Sequence, residues 1–300
     1  MAATAKKRGK NTATSIAGSI LAVTIAAAVT APLWVVQSPT QIQSAARLLS
    51  PTWTHPFGTD HFGRDIFARV VYGAQISLGV GFLVTLFSVV LGTATGLVAG
   101  YYRKADSFIM RIIDGMMAFP SILLAIAMVA ALGGNLFNLV VALVIAFWPI
   151  MTRIVRSSTL LIANMQYVEA AKAIGTKPSA IMARHILPNA LTPIIVQATF
   201  IFAEAILAEA ALSFLGLGIK PPTPSWGSML GESRIYLTTA PWFSILPGIV
   251  LMLVVLSLNI FGNKLRDLAG PHSAGFRKRL RPKFARAVRT EPISDNRKGG

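Results

Sequence analysis

Two carboxylates lie within one of the most apolar stretches of the sequence. Glu204 and Glu209 are the only charged residues between Asn189 and Gly218. A carboxylate inside a membrane costs about 2.5–3.5 kcal/mol on insertion scales and normally faces protein or water. A separation of five residues places the two side chains about 140° apart around a helix, which excludes a side-by-side acid pair. Each therefore lines a water-filled path, contacts another subunit, or is a protonated or hydrogen-bonded packing residue.

Other residues that could support catalysis or bind a metal are sparse. The chain has no cysteine, which excludes disulfides and thiolate metal sites. His55 and His61 share a segment, but no carboxylate or histidine spacing around them indicates a metal site. The string GTDHFGRD, from Gly58 to Asp65, has the two glycines of a nucleotide-binding loop but lacks the lysine that must follow them. We therefore predict no metal, no cofactor and no ATP hydrolysis by this chain.

The composition indicates a membrane protein. Of 300 residues, 54% are hydrophobic and 13% are charged, with a mean hydropathy of +0.62, whereas soluble domains usually carry about 25% charged residues. The charge-free runs are long enough for helical spans of about 20 residues and lack the alternation of barrel strands. We predict an all-α integral membrane protein with about six transmembrane helices. The predicted spans are 15–36, 76–100, 117–133, 136–152, 191–216 and 243–263.

The basic residues are distributed unequally between the two sides of these spans. Of 28 Lys and Arg residues, 23 fall in the N-terminal tail, the 103–111 loop, the 153–184 segment and the C-terminal tail. Cytoplasmic loops carry the excess of Lys and Arg. Both termini are therefore predicted to be cytoplasmic, in a cell (inner) membrane. On the opposite side, Trp226 follows three prolines and is expected to be an interfacial aromatic in a stiff external loop.

The predicted organisation follows from these spans. It consists of a basic N-tail (1–14), a first span (15–36), an external loop with an interfacial helix (37–75), a core (76–268) and a basic C-tail (269–300). The start of the chain resembles a secretory signal, but the long apolar run and the five later spans favour an uncleaved helix. The C-tail is predicted to be disordered, with contact to anionic membrane lipid as the alternative. Because charge beside a membrane already has an explanation, we predict no nucleic-acid partner.

A polar insert interrupts the apolar runs at about 160–190. Residues 168–174 are good helix formers, and Gly175 suits the left-handed residue that ends a helix. Pro178 can begin a second helix, which Pro188 is expected to end before the next span. A seven-residue helix is unstable alone in water, so the first helix either packs on its own spans or docks on another protein.

The insert resembles the EAA loop of ATP-binding-cassette importer permeases. The family pattern is Glu-Ala-Ala, three residues, Gly, nine residues, Ile, one residue, Leu-Pro. The sequence EAAKAIG followed by HILPN matches this pattern, except that His185 occupies the isoleucine position, with Ile186 beside it. The matching residues are Glu169, Ala170, Ala171, Gly175, Leu187 and Pro188. Ala170 and Ala171 are small enough to let a partner backbone approach.

Further segments resemble the C-type inner-membrane subunit of the dipeptide/oligopeptide (nickel) branch of this family, in order over about residues 57–268. They are FGTDHFGRDIFARVVYGAQISL, ALSFLGLGIKPPTPSWGSML, PWFSILPG and NIFGNKLRD. The resemblance implies the type I importer permease fold and a second permease subunit that completes a heterodimer. It also implies two cytoplasmic ATP-binding subunits that dock on the EAA loop, and an external solute-binding protein. Within such a heterodimer, Glu204 and Glu209 would line the path or form a permease–permease contact.

The implied function is that of a permease subunit in an ATP-driven importer of di- or oligopeptides. Nickel complexes, glutathione and haem are alternative substrates. A self-sufficient secondary transporter or channel is an alternative of another class, and it depends on Glu204 and Glu209 as coupling carboxylates. An intramembrane enzyme has less support, because no Ser/His, paired Asp or metal constellation is visible.

Two smaller patterns concern helix packing. Gly92, Gly96 and Gly100 share one helix face and predict close approach of a second helix, with a hinge as the alternative. Asp106, Arg111 and Asp114 lie at a predicted cytoplasmic boundary, where they either support the insert through ion pairs or are solvated.

Overall fold

The chain folds into a bundle of long α-helices. The computed structural model describes the backbone of residues 2–269 and the side chains of residues 12–268, and no β-strand occurs in this part of the chain. The helices are α1 (Ala2–Trp34), α2 (Ile66–Tyr101), α3 (Arg103–Met117), α4 (Ser121–Leu132), α5 (Leu136–Ala163), α6 (Gln166–Ala173), α7 (Pro178–Ile181), α8 (Leu187–Phe214), α9 (Trp226–Ser233) and α10 (Trp242–Ala269). The predicted C-tail lies outside the described residues, apart from Ala269.

Five helices in the described part of the chain are long and apolar enough to cross a membrane, in agreement with the predicted all-α membrane protein. They are Thr12–Trp34, Ile66–Tyr101, Leu136–Ala163, Pro178–Phe214 and Trp242–Leu268. A sixth apolar element is α3 together with α4, which are bent by 83° at a short break. Pro120 lies in that break, where it removes a backbone donor and disfavours helical geometry at the preceding residue.

The bundle has two distinct ends. The basic end is where α1 and α8 begin and where α2, α5 and α10 finish, and it carries α3 and α6. The loop end carries the 35–65 segment and α9. The charge distribution predicts that the basic end is cytoplasmic.

The first segment that was predicted to be external differs in its secondary structure from the prediction. The only helical piece between α1 and α2 is a short 3₁₀ turn at Ser44–Ala46, and α2 starts at Ile66 rather than near residue 76. The Asp65 carboxylate caps α2 by accepting the Ala68 N–H at 2.6 Å. The helical residues of the predicted 37–75 segment, from Ile66 onward, form the first turns of α2 and not a separate helix, and the Asp65 cap marks where this helix begins.

Pro188 does not end a helix, contrary to the prediction. The segment Met182–Ile186 forms a wide π-helical turn that joins α7 to α8 without a break. Leu187 N–H reaches back to the Met182 carbonyl. The wider turn leaves room for the proline ring, and Pro188 occupies the first turn of α8, where a missing N–H is tolerated.

The glycine stripe on α2 packs against α5, as predicted. A Cβ added at Gly92 would lie 2.5 Å from the Met151 Cβ, and one added at Gly96 would lie 2.6 Å from the Val155 Cβ. Such separations are too short for a side chain. Because these positions of α2 are glycines without a side chain, the two helix backbones can approach closely within lipid.

Trp226 corrects the prediction of an interfacial aromatic. It is the first residue of α9, is buried, and donates its indole N–H to the Val70 carbonyl on α2 at 3.0 Å. An indole whose N–H finds a partner is readily buried. The loop end is therefore tied to α2 by a tryptophan within the protein, not by one in the lipid headgroups.

Candidate functional site

The short helix α6 lies at the basic end, between the two long helices α5 and α8. Val168 and Ala171 on one face are buried, whereas Glu169 and Ala170 are exposed. The expectation that Ala170 and Ala171 both offer small surface to a partner is half wrong, because Ala171 packs against the chain's own core. One face of α6 is thus anchored and the other is open.

Gly175 ends α6 in the left-handed conformation, as predicted. Its φ is +81°, and a Cβ added there would meet no atom within 4 Å, so backbone conformation alone favours glycine. Gly175 N–H donates to the Lys172 carbonyl at 3.0 Å, and Thr176 N–H donates to the Ala171 carbonyl at 3.1 Å. These two bonds form a Schellman cap and satisfy the last carbonyls of the helix.

Side chains attach α6 to three neighbouring elements. The Lys172 ammonium donates to the Ala163 carbonyl at the end of α5, at 3.2 Å. It also lies 5.6 Å from the ring centre of Tyr101, at the end of α2. The Tyr167 ring is 6.4 Å from that of His185, which precedes α8. These contacts connect α6 to α2, to α5 and to the turn before α8.

The remaining residues of the EAA pattern are not on the open face of α6. His185 and Leu187 are half-buried and Pro188 is exposed, all in the turn that leads into α8. The pattern missed Ile174, which follows α6 and is 83% exposed. An apolar residue directly before a helix-ending glycine was the available signal.

Glu209 is buried within this chain. Its carboxylate accepts the hydroxyl of Ser77 on α2 at 3.0 Å and that of Ser213 on α8 at 2.8 Å. The same hydroxyls accept the N–H groups of Trp226 and Ile219, each at 3.3 Å. The proposal that Glu209 lines a path or contacts another permease is therefore replaced by the packing alternative, because the side chain has no exposed surface.

Glu204 is exposed on another face of α8. No hydrogen bond or ion pair joins it to any side chain in the described part of the chain. The structure does not bring Glu204 and Glu209 together, in agreement with their helical separation. Because a carboxylate is costly against lipid, Glu204 requires water or protein beside it.

An ion cluster at the loop end was not anticipated from the sequence. Arg64 donates to Asp60 and to Glu232, both at 2.6 Å. Arg69 also donates to Asp60 and contacts Glu232 with two nitrogens, at 2.9 and 3.0 Å. Burial would raise the pKa of Asp60, but Arg69, Arg64 and two backbone N–H groups hold it below its ordinary value of 3.8. An arginine in the first turns of an apolar helix was the only signal for this cluster.

The same cluster contains three side chains with metal-ligating atoms. Those of Asp60, His61 and Glu232 lie within 4.8 Å of one another. Both carboxylates already bind Arg64 and Arg69, so a cation would have to compete with two guanidinium groups. The donor set therefore suits an ion-paired structural cluster better than a metal centre.

Comparisons with known proteins agree with this architecture. Residues 88–271 match the family described as "Binding-protein-dependent transport system inner membrane component". The chain is 49% identical over 267 residues to the dipeptide transport system permease protein DppC of Alkalihalophilus pseudofirmus, covering 88% of each chain. It is 44% identical over 222 residues to the glutathione transport system permease protein GsiD of Pectobacterium atrosepticum, covering 74% of each chain.

A solved structure shares the fold. A chain of the inward-facing MetNI methionine ABC transporter aligns with a TM-score of 0.58 and 20% identity, covering 68% of this chain and 97% of that one. This likeness confirms the type I importer permease fold. With the family match over residues 88–271 and relatives that align over most of their length, the chain belongs to the binding-protein-dependent transport system inner membrane components, as a multi-pass permease of the cell membrane.

Proposed function

We propose that this permease imports di- or oligopeptides as one half of a heterodimer with a second permease. An external solute-binding protein delivers the peptide, and two cytoplasmic ATP-binding subunits hydrolyse the ATP. The names of the relatives support a peptide substrate, since dipeptides and glutathione are both short peptides. The same names favour peptides over the nickel and haem alternatives.

The observation that supports coupling is the two-sided environment of α6. Its buried side holds it to the core, and its open side presents Glu169, Ala170 and the adjoining Ile174. A short amphipathic helix fits the helix-in-groove mode of recognition. We assign this open side, called the α6 docking face, to contact with the ATP-binding subunits.

The path for movement follows from the helix connections. Lys172 attaches α6 to the end of α5. On the other side, α7, the π-helical turn and α8 form one continuous helix through Pro188. A helix without a break transmits displacement better than two helices joined by a flexible loop, so movement of α6 tilts α8 and opens or closes the path. Glu204 is then placed to line that path or to contact the second permease.

Co-purification with the ATP-binding subunits tests the docking face. We expect Ile174→Glu to reduce the retained ATP-binding subunits at least about tenfold, because it puts a charge in an apolar contact. Glu169→Lys and Gly175→Pro should also reduce uptake of a labelled dipeptide. The matched control is Ile235→Glu, a 71% exposed isoleucine at the loop end, which should retain the subunits. Full retention and full uptake in the α6 variants would contradict the proposal.

Reconstitution of the chain alone separates this function from a self-sufficient transporter or channel. Liposomes that contain only this permease should show no peptide flux, with or without ATP inside. Addition of the second permease, the ATP-binding subunits and the solute-binding protein should produce ATP-dependent uptake. Flux through the isolated chain would favour the secondary-transporter alternative.

A further inference from the structure

We propose that α3 lies in the membrane surface at the basic end and binds anionic lipid headgroups. Its direction is the first observation, because α3 is bent by 83° from α4. If α4 runs along the bilayer normal, α3 must run nearly parallel to the membrane surface. α3 ends at Met117, where the predicted third span (117–133) begins, and α4 lies within that span.

Two ion pairs with α5 show the level at which α3 lies along the bundle. Asp114 accepts from Arg153 at 2.5 Å, and Asp106 accepts from Arg156 at 2.5 and 2.7 Å. α5 is free of charge from Leu136 to Thr152, so Arg153 is its first charged residue. These pairs therefore hold α3 at the level where α5 leaves the hydrocarbon and enters the headgroup region.

The exposed surface of α3 has an apolar edge and a basic edge. Ile113 is buried against the bundle, whereas Phe108 is 69% exposed and Ile112 is 47% exposed. Phe108 and Ile112 are four residues apart and lie side by side on the helix. Lys104 and Arg111 are exposed on the adjoining edge, at a spacing of about two turns.

This arrangement favours lipid over water or another protein. A helix with aromatic and aliphatic residues on one edge and basic residues on the next is typical of helices at the lipid interface. No carboxylate in the described part of the chain pairs with Lys104 or Arg111, so their charges are available to phosphate groups. Phe108 and Ile112 then enter the acyl boundary, and the two basic residues contact anionic headgroups.

The absence of cysteine makes depth measurement direct. Nitroxide labels on Phe108→Cys and on Ser107→Cys, an exposed residue of the polar edge, are compared in the importer complex in nanodiscs. We expect the label at 108 to be more accessible to oxygen than to a water-soluble nickel complex, and the label at 107 to show the reverse. Equal nickel accessibility would place α3 in water, and protection from both reagents would place it under another subunit. Either result would overturn the proposal.

A second measurement addresses the headgroups. Lys104→Gln/Arg111→Gln should reduce the association of spin-labelled phosphatidylglycerol, relative to phosphatidylcholine, at least about threefold. The control is Lys220→Gln/Arg234→Gln, which removes two exposed charges at the loop end and should leave that ratio unchanged. An unchanged ratio in the α3 variant, with the complex intact, would contradict headgroup binding.

Discussion

Arg69, in the first turn of α2, binds both carboxylate oxygens of Glu232 on α9, 163 residues later in the chain. Parallel donation from one guanidinium to one carboxylate combines charge with fixed geometry. Nη1 of the same guanidinium group also donates to Asp60, which binds Arg64 as well. The cluster therefore holds the 35–65 segment, the start of α2 and α9 together as one unit at the loop end.

Replacement of Arg69 tests this unit. Arg69→Met should lower the free energy of unfolding by about 3–5 kcal/mol, because Asp60 and Glu232 lose a partner where solvent is largely excluded. Arg69→Lys should lower the free energy of unfolding by less, because lysine keeps the positive charge although it cannot form the bidentate hydrogen bonds. Denaturant unfolding in mixed micelles measures the change, with the exposed Lys220→Met as control. A value for Arg69→Met within about 1 kcal/mol of the parent would exclude a structural role for the cluster.

Acid should weaken the loop end in two pH ranges. Burial lowers the pKa of His61 below 6.5, so the unfolded chain binds that proton first and stability falls as pH decreases below about 6.5. The pKa of Asp60 is lowered below 3.8, so its contribution is present above that value and is lost as pH falls through the folded-state pKa.

Unfolding temperature as a function of pH measures both ranges. In His61→Phe, the unfolding temperature should depend less on pH in the upper range and should depend on pH as before in the lower range. Asp60→Asn should be less stable at neutral pH. Its unfolding temperature should also depend less on pH in part of the lower range. An unchanged slope between pH 6.5 and 5 in His61→Phe would show that another group controls the upper range.

The contact between α2 and α5 predicts opposite results for two glycines of one helix. Gly96→Ala places a Cβ 2.6 Å from that of Val155 and 2.8 Å from the Thr152 carbonyl oxygen. The added Cβ should force α2 and α5 apart and lower the free energy of unfolding by about 1–3 kcal/mol. Gly79→Ala meets no atom within 4 Å and should be neutral or slightly stabilising. Equal stability of the two variants in mixed micelles would contradict close packing at Gly96.

The two carboxylates of α8 should respond differently to removal. Glu209→Ala leaves the hydroxyls of Ser77 and Ser213 without their acceptor and should lower stability by about 1–3 kcal/mol. Glu204→Ala removes an exposed charge and should leave stability unchanged or raise it. At equal amounts in the membrane, it should nevertheless reduce peptide uptake. Normal uptake by Glu204→Ala would remove this residue from the path and from the permease–permease contact.

Features that depend on neighbours in the sequence were predictable. In lipid, a spanning segment must be apolar and must form its backbone hydrogen bonds internally, as an α-helix does. The all-α spans therefore follow from hydropathy. Gly175 ends α6 because its local conformation requires glycine. The spacing of Gly92, Gly96 and Gly100 defines one helix face whatever packs on it. The EAA pattern likewise occupies a short continuous segment, which made the position of α6 predictable.

Features that depend on distant partners were decided only by the tertiary structure. Glu209 is a buried packing residue because Ser77, 132 residues earlier, lies opposite it. Glu232 finds Arg69 in the same way, across most of the chain. Helix periodicity places a side chain on a face but does not specify which neighbour meets that face. The continuation of α8 through Pro188 depends on the wide π-helical turn at Met182–Ile186, which no local pattern had indicated.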